Sequence, residues 1–121
     1  MYLTRSITRG GVTRQMAGVI PAETHFTARP VGYGYVSLSP RPTGSWLRLT
    51  GEIRAHEFHY SWLEGLPADM GYLYTVQRGT GMGGGVDGVA LHNLVASYAH
   101  LHSGGAPGWA ESFVSALLPR R

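Results

Sequence analysis

The chain has 121 residues, of which 43% are hydrophobic, and carries a formal net charge of +3 at pH 7 with histidine neutral. This length predicts one domain with its own core, and the lack of any uninterrupted apolar run of about 18 residues argues against a membrane span. Because the chain contains no cysteine, the composition excludes disulfides, thiolate metal sites and an internal cysteine nucleophile.

The basic residues are all arginines and are spread along the chain from Arg5 to Arg121. Nucleic-acid-binding proteins usually cluster basic residues on one face or segment, so we expect no nucleic-acid partner. The arginine fork binds carboxylates through two parallel hydrogen bonds, which suits a polycarboxylate ligand. The first residues, Met1 to Arg5, lack the apolar stretch of a secretion signal, and we expect a cytoplasmic protein.

Glycine and proline punctuate the first half of the chain, and short apolar or alternating runs lie between them. Such runs predict strands, because alternation places one set of side chains on one face. The predicted elements are the end of a helix at Tyr2 to Ile7, a turn at Arg9 to Gly11, a strand at Met16 to Ile20 stopped by Pro21, a strand at 32–38, a loop at Pro40 to Gly44 and a strand at Trp46 to Leu49.

The second half has further strand patterns and ends in a helical one. At Trp109 to Leu118, the apolar residues recur with helical spacing and form one face. The predicted elements are a long strand at Glu52 to Ser61, a strand at Tyr72 to Gln77, one or two strands around Asn93 between Val86 and Tyr98, and the C-terminal helix.

A glycine run from Gly79 to Gly88 includes the stretch Gly79 to Gly84, which satisfies G-x-G-x-x-G by letter. A dinucleotide site needs this turn to open a helix whose N-terminus faces the pyrophosphate. Here Val86 to Leu91 follows with a strand pattern, and the chain has no lysine for a Walker loop. We therefore expect a mobile hairpin loop and no nucleotide site.

Two pairs of histidines are candidates for chemistry, His56 with His59 and His100 with His102. Imidazole titrates near neutral pH, so it serves as a general base or as a metal ligand. In an extended chain His100 and His102 share one face. With a third histidine from the other pair they would form a ligand set for zinc, copper or iron.

The stretch from His56 to His59 is similar in letters to a zinc-protease motif, but that motif needs histidines four apart on a helix. Here they are three apart in a predicted strand and point to opposite faces. Glu57 and His59 then share one face with Ser61. A structural interpretation stays open beside the functional one, in which either histidine is hydrogen-bonded in a buried strand and His102 is a surface side chain.

Several stretches in a fixed order carry a more specific signal. They are Met1 to Leu3, Met16 to Pro21, Arg29 to Tyr35, residues 51–61, Asp87 with Gly88, Asn93, the Ala-Ser-Tyr-Ala-His-Leu-His run at 96–102, and a final helix with Phe113. Together they resemble the C-terminal glutamine amidotransferase domain of the cobyrinic acid a,c-diamide synthase family, over essentially the whole chain. The resemblance implies an incomplete α/β, class I amidotransferase-like domain, mostly mixed β-sheet with a C-terminal helix.

That family hydrolyses glutamine to supply ammonia for the ATP-dependent amidation of tetrapyrrole carboxylates. Its thiolate attacks the glutamine amide while a histidine accepts and returns the proton, and the match to the family's motif gives this role to His100. The resemblance also implies a substrate-binding role for Glu57, His59, Tyr60 and Ser61, and no metal. Main-chain groups near Tyr60 and Ser61 would fix glutamine, and Glu57 would hold a neighbouring group.

The family's nucleophilic cysteine lies in a Cys-Gly-Gly-type turn immediately before the stretch that Met1 to Leu3 matches. We therefore interpret residues 1–121 as the C-terminal portion of the domain, without the cysteine elbow and the ATP-binding synthetase domain, and expect no glutaminase activity from it alone. ATP and magnesium would bind the missing synthetase domain, so no cofactor is expected in this chain. We expect a homo-oligomer, or a partner subunit that supplies the cysteine, because an incomplete sheet exposes an apolar edge.

Other interpretations stay open. The chain fits a truncated gene product, a fragment completed by a second subunit, or a remnant reused for binding. The segment Arg78 to Met82 is similar to relatives that amidate sirohaem-type tetrapyrroles, which makes a sirohaem-type amidase fragment one alternative function. The other alternative is a small histidine-based metal-binding β protein.

Overall fold

The computed structural model describes residues 1–118, so the last three residues of the predicted domain lie outside the described part. The described residues form nine strands and one helix in two sheets. The elements are β1 (Thr4–Arg9), β2 (Val12–Gln15), β3 (Ile20–Phe26), β4 (Gly32–Pro40), β5 (Ile53–His59), β6 (Ser61–Glu64), β7 (Gly71–Arg78), β8 (Val86–Leu91), β9 (Leu94–Ala96) and α1 (Trp109–Leu117).

The first sheet has the strand order β2-β1-β3-β6, and it is mixed because β1 and β3 run parallel. A two-residue hairpin joins β1 to β2, with Arg9 paired to Val12 across Gly10 and Gly11. Both glycines have positive φ, 56° and 76°, as this tight turn requires. The turn predicted at Arg9 to Gly11 is therefore confirmed.

The second sheet has the order β5-β4-β7-β8-β9, and all its neighbouring strands are antiparallel. The strands predicted at 32–38 and at Tyr72 to Gln77 are confirmed as β4 and β7. The pattern around Asn93 is a hairpin of β8 and β9, in which Leu91 pairs with Leu94. The α/β class, dominated by strands and ending in a helix, is confirmed.

The chain passes from one sheet to the other along the predicted long strand. Strand β5 belongs to the second sheet, Tyr60 interrupts it, and β6 continues in the first sheet. Along β5 buried and exposed residues alternate without a break, so Glu57 and His59 face inward and Phe58 faces outward. This corner brings the predicted site residues to the junction of the two sheets.

Two apolar clusters form the core. The larger lies under the second sheet around Val36, Leu38, Ile53 and Leu73, and the smaller joins Ile20 of the first sheet to buried residues of β7 and β8. Burying apolar area of this kind supplies most of the free energy that holds such sheets together. The smaller cluster thus packs the two sheets against each other next to their junction.

The prediction of a helix end at Tyr2 to Ile7 is wrong, because this stretch lies mostly in β1. Thr4 is fully buried, and its hydroxyl bonds that of Thr24 on β3 at 2.8 Å. A buried threonine is a polar residue in the sequence, so it interrupts the apolar–polar alternation that predicts a strand, although its side chain faces inward as an apolar residue's would. Polar side chains on a buried face thus concealed the strand pattern.

The strand predicted at Met16 to Ile20 is also wrong, since only Ile20 belongs to a strand, β3. Pro21 lies inside β3 instead of stopping the chain before it. The pairing of β1 with β3 shifts by a residue between Thr4 and Ser6, and β6 pairs only from Glu23 onward. At such a bulge the missing proline N–H costs no ladder hydrogen bond.

The strand predicted at Trp46 to Leu49 is wrong as well, because these residues are irregular. The helix α1 is confirmed, but its predicted apolar face is not packed within the described chain. Phe113, Val114 and Leu117 are exposed, and the ring of Phe113 contacts Trp46 edge-on at 5.7 Å between ring centroids. Trp109 alone among the predicted face packs partly against the core.

Candidate active site

His100 lines a cleft of about 200 Å³ at the junction of the two sheets. Thr4 and Ile20 of the first sheet and Phe58 and His59 of the second line the same cleft. The imidazole of His100 is exposed, so solvent and a ligand reach it. Met1 also lines this cleft, so the first residue of the chain and the predicted base lie on the same cleft.

The main chain of His100 is fixed although His100 lies outside the named strands. Its N–H donates to the His56 carbonyl at 2.7 Å, and the N–H of His56 donates back at 3.3 Å. The pair forms an isolated antiparallel bridge at the edge of β5, and the two rings are 6.1 Å apart. The edge strand thereby holds the predicted base at the rim of the cleft.

Asp87 on β8 holds the residues that precede His100. Its Oδ1 accepts the N–H of Tyr98 at 3.1 Å, and its Oδ2 accepts the N–H of Ala99 at 2.8 Å. Burial raises the pKa of this carboxyl, while hydrogen bonds from the backbone of Tyr98, Ala99 and Gly88 act in the opposite direction. A fully buried carboxyl is therefore satisfied almost entirely by main-chain donors.

Glu57 anchors the glycine loop from inside the protein. Its Oε1 accepts the N–H of Thr80 at 2.7 Å and its Oε2 accepts the N–H of Gly81 at 2.8 Å. The run leads into strand β8 and no helix follows it, so the G-x-G-x-x-G letters lack the helix N-terminus of a dinucleotide site. The expected hairpin between β7 and β8 is confirmed, its mobility stays a prediction, and the first residues of the loop are hydrogen-bonded to Glu57.

The close approach of Glu57 and His59 explains why position 32 is a glycine. A Cβ there would lie 2.2 Å from Nε2 of His59 and 2.8 Å from the Glu57 carboxyl. Any larger side chain would therefore displace the buried pair. The glycine lets β4 pass directly over the two polar side chains.

His59 and Tyr98 form a stacked pair, with ring centroids 3.8 Å apart and planes inclined by 12°. Nδ1 of His59 bonds the Ser61 carbonyl at 2.8 Å, and Nε2 lies 3.3 Å from Oε2 of Glu57. The Tyr98 hydroxyl bonds the Ser61 hydroxyl at 2.7 Å, and burial raises the pKa of Tyr98, which keeps this hydroxyl protonated. The stack joins the β5–β6 corner to the segment that carries His100.

The predicted site residues thus occupy different positions. His100 and His59 line the cleft, whereas Glu57 and Ser61 are buried behind it with their oxygens already hydrogen-bonded. Tyr60 lies on the opposite face of the strand, where its ring packs against Phe58 at 5.4 Å. The main-chain carbonyl of Tyr60 accepts the N–H of Thr27.

Asp87 and Tyr98 are the residues of this site to which the sequence analysis gave no role. A signal was present for Asp87, because an acidic residue stands within the apolar run Val86 to Leu91. A carboxylate in a buried strand needs hydrogen-bond donors. The sequence did not indicate that main-chain amides of residues 98 and 99 would supply them.

The four histidines proposed as metal ligands are not brought together as a three-ligand group within residues 1–118. The cluster with suitable spacing in that range is Glu23, His25 and Glu64, on strands β3 and β6. His25 Nε2 already lies 3.0 Å from Glu64 Oε2, and both carboxylates are exposed. The Nδ1 of His102 accepts the N–H of Gly104 at 3.1 Å, so this side chain closes a loop.

The helix α1 has nine residues, and the described part of the chain contains no helix that is long and apolar enough to cross a membrane.

Comparison with known proteins gives a consistent result. Residues 1–107 match the model of the CobB/CobQ-like glutamine amidotransferase domain. The cobyrinate a,c-diamide synthase of Magnetococcus marinus is 39% identical over 110 residues, which cover 91% of this chain and 24% of that protein. The synthases of Halobacterium salinarum and Methanothermobacter thermautotrophicus are 36% and 33% identical, covering 84% and 93% of this chain and 23% and 24% of theirs.

The chain spans about a quarter of the length of these relatives. The family match covers most of the chain and includes both the β5–β6 corner and the segment of His100. The chain therefore belongs to the CobB/CobQ-like glutamine amidotransferase domain family.

Proposed function

We propose that this chain is the histidine-bearing part of a glutamine amidotransferase domain and that His100 is its proton-transfer residue. The observation that carries the proposal is the cleft that Met1 and His100 share. The family resemblance puts a cysteine turn immediately before the residues that match Met1 to Leu3. A segment that enters at Met1 would bring its sulfur close to the exposed imidazole.

The proposed reaction uses the cysteine thiol and the imidazole of His100. The cysteine thiol loses its proton to the neutral imidazole, and the thiolate attacks the side-chain carbonyl carbon of glutamine. The imidazolium of His100 then protonates the leaving nitrogen, so that ammonia departs and a thioester remains. Water gives a proton to the imidazole as it attacks the thioester, and glutamate leaves as the thiol is restored.

Glutamine binding is proposed for the cleft lined by His59 and Tyr98, and the corner at Tyr60 and Ser61 would support this wall from outside the cleft. Because Glu57 and Ser61 are buried and hydrogen-bonded, we assign them the support of this wall rather than direct contact with substrate. The neighbouring group that Glu57 holds is the glycine loop at Thr80 and Gly81. The cleft volume of about 200 Å³ is suited to one small amino acid and not to a tetrapyrrole.

The ammonia is proposed to serve the ATP-dependent amidation of a tetrapyrrole carboxylate, as the names of the relatives suggest. ATP, magnesium and the acceptor would bind outside residues 1–121, and the reaction would take place in the cytoplasm. By itself the chain would show no glutaminase activity, because it contains no cysteine. The cysteine would come from a preceding segment, a second copy or a partner subunit.

Exposed aromatic side chains support the proposal of a covering partner. Tyr33 and Tyr35 on β4 are 77% and 80% exposed, and Phe58 on the edge strand β5 is 46% exposed. Exposed aromatic surface of this kind is commonly covered by another part of an assembly. This surface adjoins the cleft, since Phe58 lines both.

A hybrid enzyme tests the proposed function. In the hybrid, this chain replaces the matching 110 residues of the Magnetococcus marinus synthase, which keeps its own upstream residues. We expect the hybrid to amidate cobyrinate with glutamine as nitrogen donor. Excess ammonium salt as donor is the control, because it tests the synthetase part alone. A hybrid that works with ammonium but releases no ammonia from glutamine would overturn the proposed function.

A further inference from the structure

We propose that Asp87 is a positioning residue for His100: its buried carboxyl fixes the main chain at Tyr98 and Ala99 and thereby sets where the imidazole lies in the cleft. The catalytic part of this inference rests on the proposed function. The structural part, that Asp87 determines the conformation of the His100 segment, stands independently of it.

The segment before His100 has no sheet to hold it. Strand β9 ends at Ala96, and the N–H groups of Tyr98 and Ala99 both point to Asp87, at 3.1 and 2.8 Å. The next N–H, that of His100, donates to the His56 carbonyl at 2.7 Å. Three successive amides are thus satisfied, the first two by one carboxyl and the third by the edge strand.

This arrangement fixes which way His100 faces. The chain bends at Tyr98 and Ala99, which lets two successive amides point to the same carboxyl. Asp87 selects the amides of residues 98 and 99, so Tyr98 stacks on His59 and His100 reaches the cleft. Without the carboxyl, the bridge to His56 and the hydrogen bond from the Ser97 hydroxyl to the Ala99 carbonyl at 2.8 Å would remain as main-chain restraints next to the base.

The chemistry of the carboxyl suits this role better than a neutral group would. Two acceptor oxygens receive two neighbouring amides without a competing donor. An asparagine of the same shape would direct its NH₂ group at one of the two N–H groups. A buried carboxyl is costly to retain in an apolar strand, and its donors here are main-chain groups of residues 98, 99 and 88.

The experiment compares the full chain with its Asp87→Asn and Tyr72→Phe variants by NMR. Tyr72→Phe is the matched control, since it removes one partly buried hydrogen bond, from the Tyr72 hydroxyl to the Pro67 carbonyl at 2.9 Å, between residues that do not line the His100 cleft. We expect Asp87→Asn to speed hydrogen exchange of the Ala99 and Tyr98 amides at least about tenfold and to shift the His100 ring resonances. Tyr72→Phe should leave both unchanged.

The inference is overturned if these exchange rates and ring resonances are the same in Asp87→Asn as in the parent chain. Should Asp87→Asn fail to fold, the parent chain still decides: slow exchange of the Tyr98 and Ala99 amides supports the inference, and exchange as fast as in an unstructured peptide contradicts it. These readouts need no glutaminase activity.

The catalytic consequence is measured in the hybrid enzyme. We expect Asp87→Asn to lower kcat for glutamine about tenfold or more with little change in KM, because substrate binding is kept while the base is misplaced. Ammonium-dependent amidation should not change. Equal kcat values in the Asp87→Asn hybrid and the parent hybrid would contradict the positioning role. If the parent hybrid is inactive with glutamine, the proposed function is refuted. The NMR result then decides whether Asp87 sets the conformation of the His100 segment.

Discussion

Replacing His100 with glutamine is expected to lower glutamine-dependent amidation by the hybrid about 10²–10⁴-fold, the usual contribution of a general acid–base residue. Glutamine keeps a hydrogen-bonding side chain at position 100 but cannot carry the proton from the thiol to the leaving nitrogen. Because the His100 side chain is exposed, the substitution should leave the fold intact. Initial rates of ammonia release from glutamine measure the effect.

His102→Gln is the matched control for this prediction. His102 lies two residues further along, is exposed, and contacts the Gly104 amide of its own loop. We expect it to change glutamine hydrolysis less than about twofold. If His100→Gln and His102→Gln hybrids release ammonia at the same rate, His100 is not the proton-transfer residue. Ammonium-dependent amidation should be the same in both.

Replacing Glu57 with alanine is expected to lower the free energy of unfolding of the chain by about 3–5 kcal/mol, as loss of one partner from a buried charged network does. The Glu57 carboxyl is only 2% exposed, and it accepts the amides of Thr80 and Gly81. Without it, those buried donors would have to find water or a new partner. Urea denaturation followed by tryptophan fluorescence measures the change.

Glu52→Ala is the control for the Glu57 substitution. Glu52 lies just before β5, is exposed, and bonds only the Ser37 hydroxyl at 2.7 Å among the hydrogen bonds of the described residues. Surface changes of this kind usually alter stability by about 0.5 kcal/mol or less. A Glu57→Ala chain as stable as the Glu52→Ala chain would show that the carboxyl does not hold the glycine loop.

Local sequence patterns predicted those strands and the helix in which apolar residues recur at one regular spacing. Strand β5 alternates without a break, so its inward and outward faces could be assigned from sequence. Strand β1 could not, because Thr4 and Ser6 are polar and buried, and the Thr4 hydroxyl is satisfied in part by Thr24 on another strand. Pro21 is tolerated inside β3 at a bulge, and a bulge depends on a partner strand that no local pattern specifies.

Of the candidate site, only the role of His100 and the involvement of the β5–β6 corner could be predicted from the sequence. The role of His100 came from the family resemblance, and no spacing of residues would have singled it out from His102. The contacts of Asp87 with residues 98 and 99 join β8 to a segment eleven and twelve positions later. Side-chain bonds to main-chain amides leave almost no trace in a sequence, because any residue can supply the amide.

The reactivity of the hybrid's nucleophilic cysteine decides whether His100 serves a sulfur atom. Iodoacetamide alkylation at about pH 6, followed by mass spectrometry of the cysteine peptide, reports the thiolate, since an isolated thiol with a pKa of about 8.5 is almost fully protonated there. With His100 present, we expect alkylation at least about tenfold faster than in the His100→Gln hybrid. Equal rates in the two hybrids would mean that the imidazole does not contact the sulfur, and the proposed proton transfer would be refuted.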